Sequence, residues 1–342
     1  MRRRRILIVA AGVIVAIAGG TSSALGAQQS EPQVAATRGF ALARTQSGLL
    51  DFWSFTRPLS DRRLQDSFEF NGSASPSTAW VRDAGNGLKV GVRSHPSPQF
   101  KGWFAVTLKA FPASSVFHVD VSRPAGNVVG PGNESEAVFA VQTASTKVTG
   151  LINFVEVTSD SLHGRTAWQI DYSHGRIRNA ASRLFMRTAS SAHAPRSHAV
   201  TLRTDGRHRL EVWFGPRLVF HSSALHLDME APFQPYLEVQ SQQAPYVSTF
   251  KGFWVTKDST LTVAGVPGGA AVRLIGVSAG RRLASGRAAA DGVARLTLPA
   301  PEARGSADLE IVLASGRHVT LGPFVYDGGD HYRLERRPTP KG

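Results

Sequence analysis

Two carboxylates stand out, Glu156 in LINFVEVTS and Asp171 in WQIDYSHG, because each sits in an apolar run where a charge is costly unless paired or functional. Trp168, Tyr172 and His174 flank Asp171. Such a set suits sugars: rings stack on the apolar faces of pyranoses, while carboxylates and imidazoles bond the hydroxyls. Glu156, Trp168, Asp171, Tyr172 and His174 are therefore the candidate ligand-binding residues, and Glu156, Trp168 and Asp171 are expected on one accessible concave face. Should the site be catalytic, Glu156 and Asp171 are the carboxylates for acid/base work. The alternative is the solvent face of an antiparallel sheet, with Arg176 or Arg178 as ionic partner.

Other chemistries find less support. Glu134 and Glu136 would point the same way at i, i+2 on a strand, but Gly132 and Asn133 just before them suggest a loop. Gly-x-Ser-x-Gly, Gly-x-Gly-x-x-Gly and Walker patterns are missing, so no catalytic residue is assigned by motif. The chain has no cysteine, which excludes disulfides, thiolate metal sites and a thiol nucleophile. Of eleven histidines, five (His193, His198, His208, His221 and His226) crowd one region, but none has the i, i+4 or His-x-His spacing that aims two imidazoles at one ion. Of the six tryptophans most are expected in the core, with Trp168 and Trp103 as the candidates for exposure.

The elements that must position these residues are strands. HAVTLRTDGRHRLEVWFGPRLVFHSS reads as Ala199–Arg203, Arg209–Phe214 and Arg217–His221, joined at Asp205-Gly206 and Gly215-Pro216. Period-two alternation in successive short runs marks half-buried antiparallel sheet, and scarcely any helical periodicity occurs. The expected fold is all-β: a large two-sheet jelly-roll sandwich over residues 48–257, followed by a small immunoglobulin-like β-sandwich over 258–328. The second part is set off by a change of texture after Asp258, where Val, Leu, Ala and Gly dominate and aromatics vanish until Phe324. Residues 28–47 read as a polar linker and 329–342 as a basic tail.

At the start, Arg2 to Arg5, the apolar run Ile6 to Ala18 and the small or polar Gly19 to Ala27 follow the order of a secretory signal peptide, expected over 1–27. Membrane contact is expected only if this segment stays uncleaved. The folded part is then secreted or held at the cell surface. Formal charge is +14, four of which belong to Arg2 to Arg5. The remaining excess favours anionic partners such as cell-wall polymers, or reflects an arginine-rich composition. No nucleic-acid-binding motif is present.

The run from Glu136 to Val255, with RLEVWFGPRLVFHSS, the returning strand PYLEVQS and the terminal strand FKGFWVT, resembles the concanavalin A-like lectin/glucanase superfamily, especially its laminin-G-like and legume-lectin-like branches. LTVAGVPGGAAVRLIG resembles the opening of bacterial immunoglobulin-like or carboxypeptidase-regulatory-like modules. Superfamily hydrolases carry Glu-x-Asp-x-x-Glu on one strand, a spacing this chain lacks. Lyases of the same fold carry Gln-Ile-His, matched here only by Gln169-Ile170-Asp171. Laminin-G-like relatives often bind calcium at the rim, which makes Asp83, Asn86 and Asp228 candidates for a structural calcium site; no other cofactor is indicated. The resemblance implies a bacterial surface or secreted protein binding carbohydrate or cell-wall polymer. A glycoside hydrolase with carboxylates from separate strands, and a structural or adhesive module without a sugar site, are the alternatives.

Overall fold

The computed structural model describes residues 35–37, 39–55, 68–72, 78–83, 85, 87–122, 134–143, 154–162, 165–174, 181–191, 197–227, 229, 231–278 and 280–336. Strands account for all regular structure among them except the short 3-10 turn Ala300–Glu302. The expected signal segment, Asn86 and Asp228 lie outside the described residues.

The larger unit, Phe52–Val255, stacks two antiparallel sheets. One has seven strands in the order Ala181–Ser191, Arg165–His174, Phe154–Leu162, Glu134–Thr143, Phe233–Ser241, Lys101–Thr107, Phe68–Gly72. The other runs Arg217–Ser222, Leu210–Phe214, Ser197–Thr204, Val116–Ser122, Tyr246–Thr256, Leu88–Val92, Ala79–Asp83, with Leu49–Trp53 also pairing Tyr246–Thr256. The three strands expected from alternation are present, displaced by at most two residues at either end. Their turns work as the sequence suggests. Gly206 and Gly215 adopt φ of +75° and +53°, and Asp205 Oδ1 accepts the backbone N–H groups of Arg207, His208 and Arg209 at 2.8 to 2.9 Å.

Between the sheets lies the core. Phe139, Val157, Ile170 and Leu237 from the seven-stranded sheet and Phe117, Val119, Leu202 and Val212 from the other are all at most 1% exposed. Trp168 fills the same layer: its ring meets His198 at 4.6 Å and Phe214 at 5.5 Å, both edge-on. His198 in turn stacks on Phe214 at 4.2 Å, and burial pushes its imidazole below the usual range, towards the neutral form.

The second unit corrects the expected domain boundaries. It is built from residues on both sides of the large sandwich, through Asp51 and from Thr256 onwards. A five-stranded sheet runs Ala35–Thr37, Phe40–Gln46, His331–Arg336, Thr260–Ala264, Ala294–Thr297, and a four-stranded one runs Arg282–Arg287, Ala271–Gly276, Arg304–Val312, His318–Asp327. The expected linker thus contributes Phe40–Gln46 and the expected tail His331–Arg336, paired antiparallel with Leu42 opposite Leu334. The reason is apolar: Leu42, Tyr332 and Leu334 join Leu261, Val263, Leu309 and Leu321 in one core, and burying them stabilises strands whose ends alone look polar.

Candidate functional site

Alternation along the seven-stranded sheet separates a core-facing set from an outer set. Trp168 is the Cα partner of Ser159, and Tyr172 of Val155, whereas Asp171 is the partner of Glu156. Trp168 is 0% exposed. The expectation that Glu156, Trp168 and Asp171 share an accessible face therefore fails. Trp168 and Asp171 stand three residues apart on one strand, which turns them to opposite faces. Tyr172 and His174 have the parity of Trp168, so the five candidate ligand residues divide into Glu156 with Asp171, and Trp168 with Tyr172 and His174. Trp103 likewise occupies a core-facing position, opposite Val239.

Glu156 and Asp171 do form a cross-strand pair, where Cβ atoms stand about 4.5–5.5 Å apart. They are joined on the outer face by residues from two further strands. Ala140 lies between Glu156 and Tyr236, Val138 between Thr158 and Glu238, and Glu136 between Asp160 and Gln240. Glu134–Thr143 is strand from its first residue, so Glu136 belongs to the sheet and not to a loop.

Within this field two carboxylates are held differently. Glu136 is 6% exposed and accepts a hydrogen bond from the side-chain amide of Gln240. Glu238 remains partly accessible, yet the surrounding protein pushes its carboxyl up to about 7 through loss of hydration. No hydrogen bond or ion pair joins it to any of the described residues. Because Glu136 faces Gln240, Glu238 is its diagonal neighbour, about 7–8 Å away. Thr158, 1% exposed, has a hydroxyl without a partner among the described residues, and Gln169 beside it is fully buried. The outer face of a sheet normally leaves such groups to water, so their burial in protein is the unusual feature of this surface.

No family model and no curated protein matches the chain. Solved structures align with about three fifths of the chain. A pseudo-β-1,3-glucanase and immunostimulatory antigen of Mycobacterium tuberculosis aligns at 11% identity over 61% of this chain and 99% of its own, with a TM-score of 0.41. A putative β-glucanase of Mycobacterium abscessus aligns at 8% identity over 61% and 100%, with a TM-score of 0.42. A Bacillus subtilis protein of unknown function with a galectin-like fold aligns at 12% identity over 63% and 98%, with a TM-score of 0.39. These are likenesses of fold.

Sequence reasoning misses Glu238 and Gln240, although LEVQ in PYLEVQS carries the same signal as FVEV around Glu156, a carboxylate inside an apolar alternation. For metals, Asp83 ends the strand Ala79–Asp83. Among the described residues, no three His, Asp or Glu side chains converge as an ion would require.

Proposed function

We propose that the large sandwich binds a carbohydrate polymer at the partly accessible Glu238 and Gln240 on the outer face of its seven-stranded sheet, in a protein exported to the cell surface or its surroundings. The observation that carries this is the Glu136–Gln240 pair beside Glu238. Carboxylate and amide groups fixed on rigid strands offer both acceptors and donors to sugar hydroxyls. Glu156 and Asp171 extend the same face by two strands.

A second reading is favoured by Glu238. A carboxyl that keeps its proton to about pH 7 can act as a general acid, and Glu136, a second carboxylate at the diagonal position on the adjacent strand, would be the partner that glycoside hydrolysis needs. On that reading Glu238 would protonate the leaving oxygen and Glu136 would activate water.

One experiment tests both: binding of the full chain to a polysaccharide array, run beside reducing-sugar release on the same polymers. Saturable binding without release, weakened by Gln240→Ala, supports the binding reading. Release abolished by Glu238→Gln supports the enzyme. Absence of both binding and release on every polymer would overturn the proposal.

A further inference from the structure

The five-stranded sheet of the second unit has an outer face of a different character. Leu261, Val263, Ala294, Leu296, Tyr332 and Leu334 point to the core, which leaves Arg295, His331 and Arg333 exposed on the other side and Thr260 and Thr262 partly so. Register places them closely. Thr262 is the Cα partner of both Arg295 and His331, and Ala264 that of Arg333. His331 and Arg333 are two positions apart on one strand, about 6.7 Å, and Arg295 lies two strands away, about 10 Å. Small residues occupy the centre of this triangle.

The arginines of the unit divide into two groups. Arg44, Arg273, Arg281 and Arg304 each have a carboxylate within 4 Å. Arg295 and Arg333, like Arg282, Arg287, Arg317 and Arg336, have no acidic partner among the described residues; of these, Arg295 and Arg333 share the outer face of this sheet with His331. The one acid on the same face of the strand that carries Arg333, Glu335, lies two positions beyond it near the strand's end, opposite Ala41.

We propose that this face is a docking surface for a linear phosphate polymer. The arginines offer planar forks that bond phosphate oxygens in pairs. The threonine hydroxyls between them add single donors, which suits a group with several free oxygens better than a planar carboxylate that one arginine satisfies. A sheet face whose centre carries only Thr262 and Ala264 lets an extended chain lie across it. The surface is separate from the carbohydrate face proposed for the sandwich, and its test is independent of that reading.

The probe is medium-chain inorganic polyphosphate, titrated into the full chain with fluorescence polarisation at several salt concentrations. The wild type should bind with strong salt dependence, and Arg295→Ala/Arg333→Ala should bind at least about tenfold more weakly with a shallower salt slope. The control Arg282→Ala/Arg317→Ala removes the same charge from exposed positions associated with the other sheet and should stay within about twofold of wild type. Equal weakening in both variants would reduce the effect to net charge and overturn the proposal, as would no binding by the wild type. Polygalacturonate bound as tightly as polyphosphate would overturn the choice of phosphate.

Discussion

Arg44 Nε lies 3.3 Å from Asp330 Oδ2, an ion pair that joins the strand Phe40–Gln46 to the turn just ahead of His331–Arg336. Asp330 is fully buried and its carboxylate accepts three hydrogen bonds, from Gly48 N–H at 2.7 Å, Asp327 N–H at 2.9 Å and the Tyr332 hydroxyl at 2.6 Å. Arg44 also donates to the Val325 carbonyl at 2.6 Å. The arrangement satisfies a buried charge from four directions, and two of its donors precede the large sandwich in sequence.

Removing Asp330 would leave the Gly48 N–H and the Tyr332 hydroxyl without their acceptor and Arg44 with only the more distant Asp327 carboxylate, at 3.8 Å. Asp330→Ala should cost the second unit about 3–5 kcal/mol, the range for breaking a buried ion pair. Urea unfolding followed in the second unit should show the loss, while Asp327→Asn, which keeps the Asp330 contacts, should cost less. An Asp330→Ala midpoint equal to wild type would refute this account of the cluster.

Gly48 is the companion case. A Cβ at this position would stand 2.1 Å from the Gly328 carbonyl oxygen and 2.5 Å from the Gly329 carbonyl carbon, both backbone atoms. Gly48→Ala should therefore destabilise by about 1–3 kcal/mol through overpacking, with no side chain able to move aside. Differential scanning calorimetry checks this, and an unchanged melting profile would count against the close approach.

Trp168 is a core residue and not a sugar platform. Trp168→Ala should destabilise the large sandwich by about 3–5 kcal/mol. Trp168→Phe, which keeps an edge-on ring for His198 and Phe214, should fold and bind any polysaccharide as the wild type does. Binding lost in a folded Trp168→Phe protein would restore the tryptophan to the site.

Glu238 predicts a pH dependence. Its carboxyl titrates near 7 in the folded state against 4.5 for an unperturbed glutamate, so between these limits the folded chain holds a proton that the unfolded chain releases. The contribution to stability is complete below about pH 4.5 and is lost as pH rises through about 7. Glu238→Gln should flatten this dependence and be more stable than wild type at pH 8. Urea midpoints of both proteins at pH 5 and pH 8 decide it; a difference that does not change with pH would refute the shift.

Part of the candidate site is legible in the sequence. Glu156 and Asp171 are marked by their cost inside apolar runs, and the opposition of Trp168 and Asp171 follows from their odd separation on one strand. Glu136 is harder to read, because Gly132 and Asn133 suggest a loop whereas the strand opens at Glu134. Its link to Gln240 spans more than a hundred residues, and no local pattern announces such a partner.

By itself the sequence determined the all-β class, the turns at Asp205-Gly206 and Gly215-Pro216, and which residues of each strand share a face. These depend on side-chain alternation and on allowed φ values, which are properties of neighbouring residues. Tertiary structure decided which strands lie side by side, and therefore that Glu156 meets Asp171, that Gln240 meets Glu136, and that Phe40–Gln46 closes the second unit beside His331–Arg336. Those outcomes rest on burying apolar surface and satisfying Asp330 across long stretches of chain, a balance that no short window of residues contains.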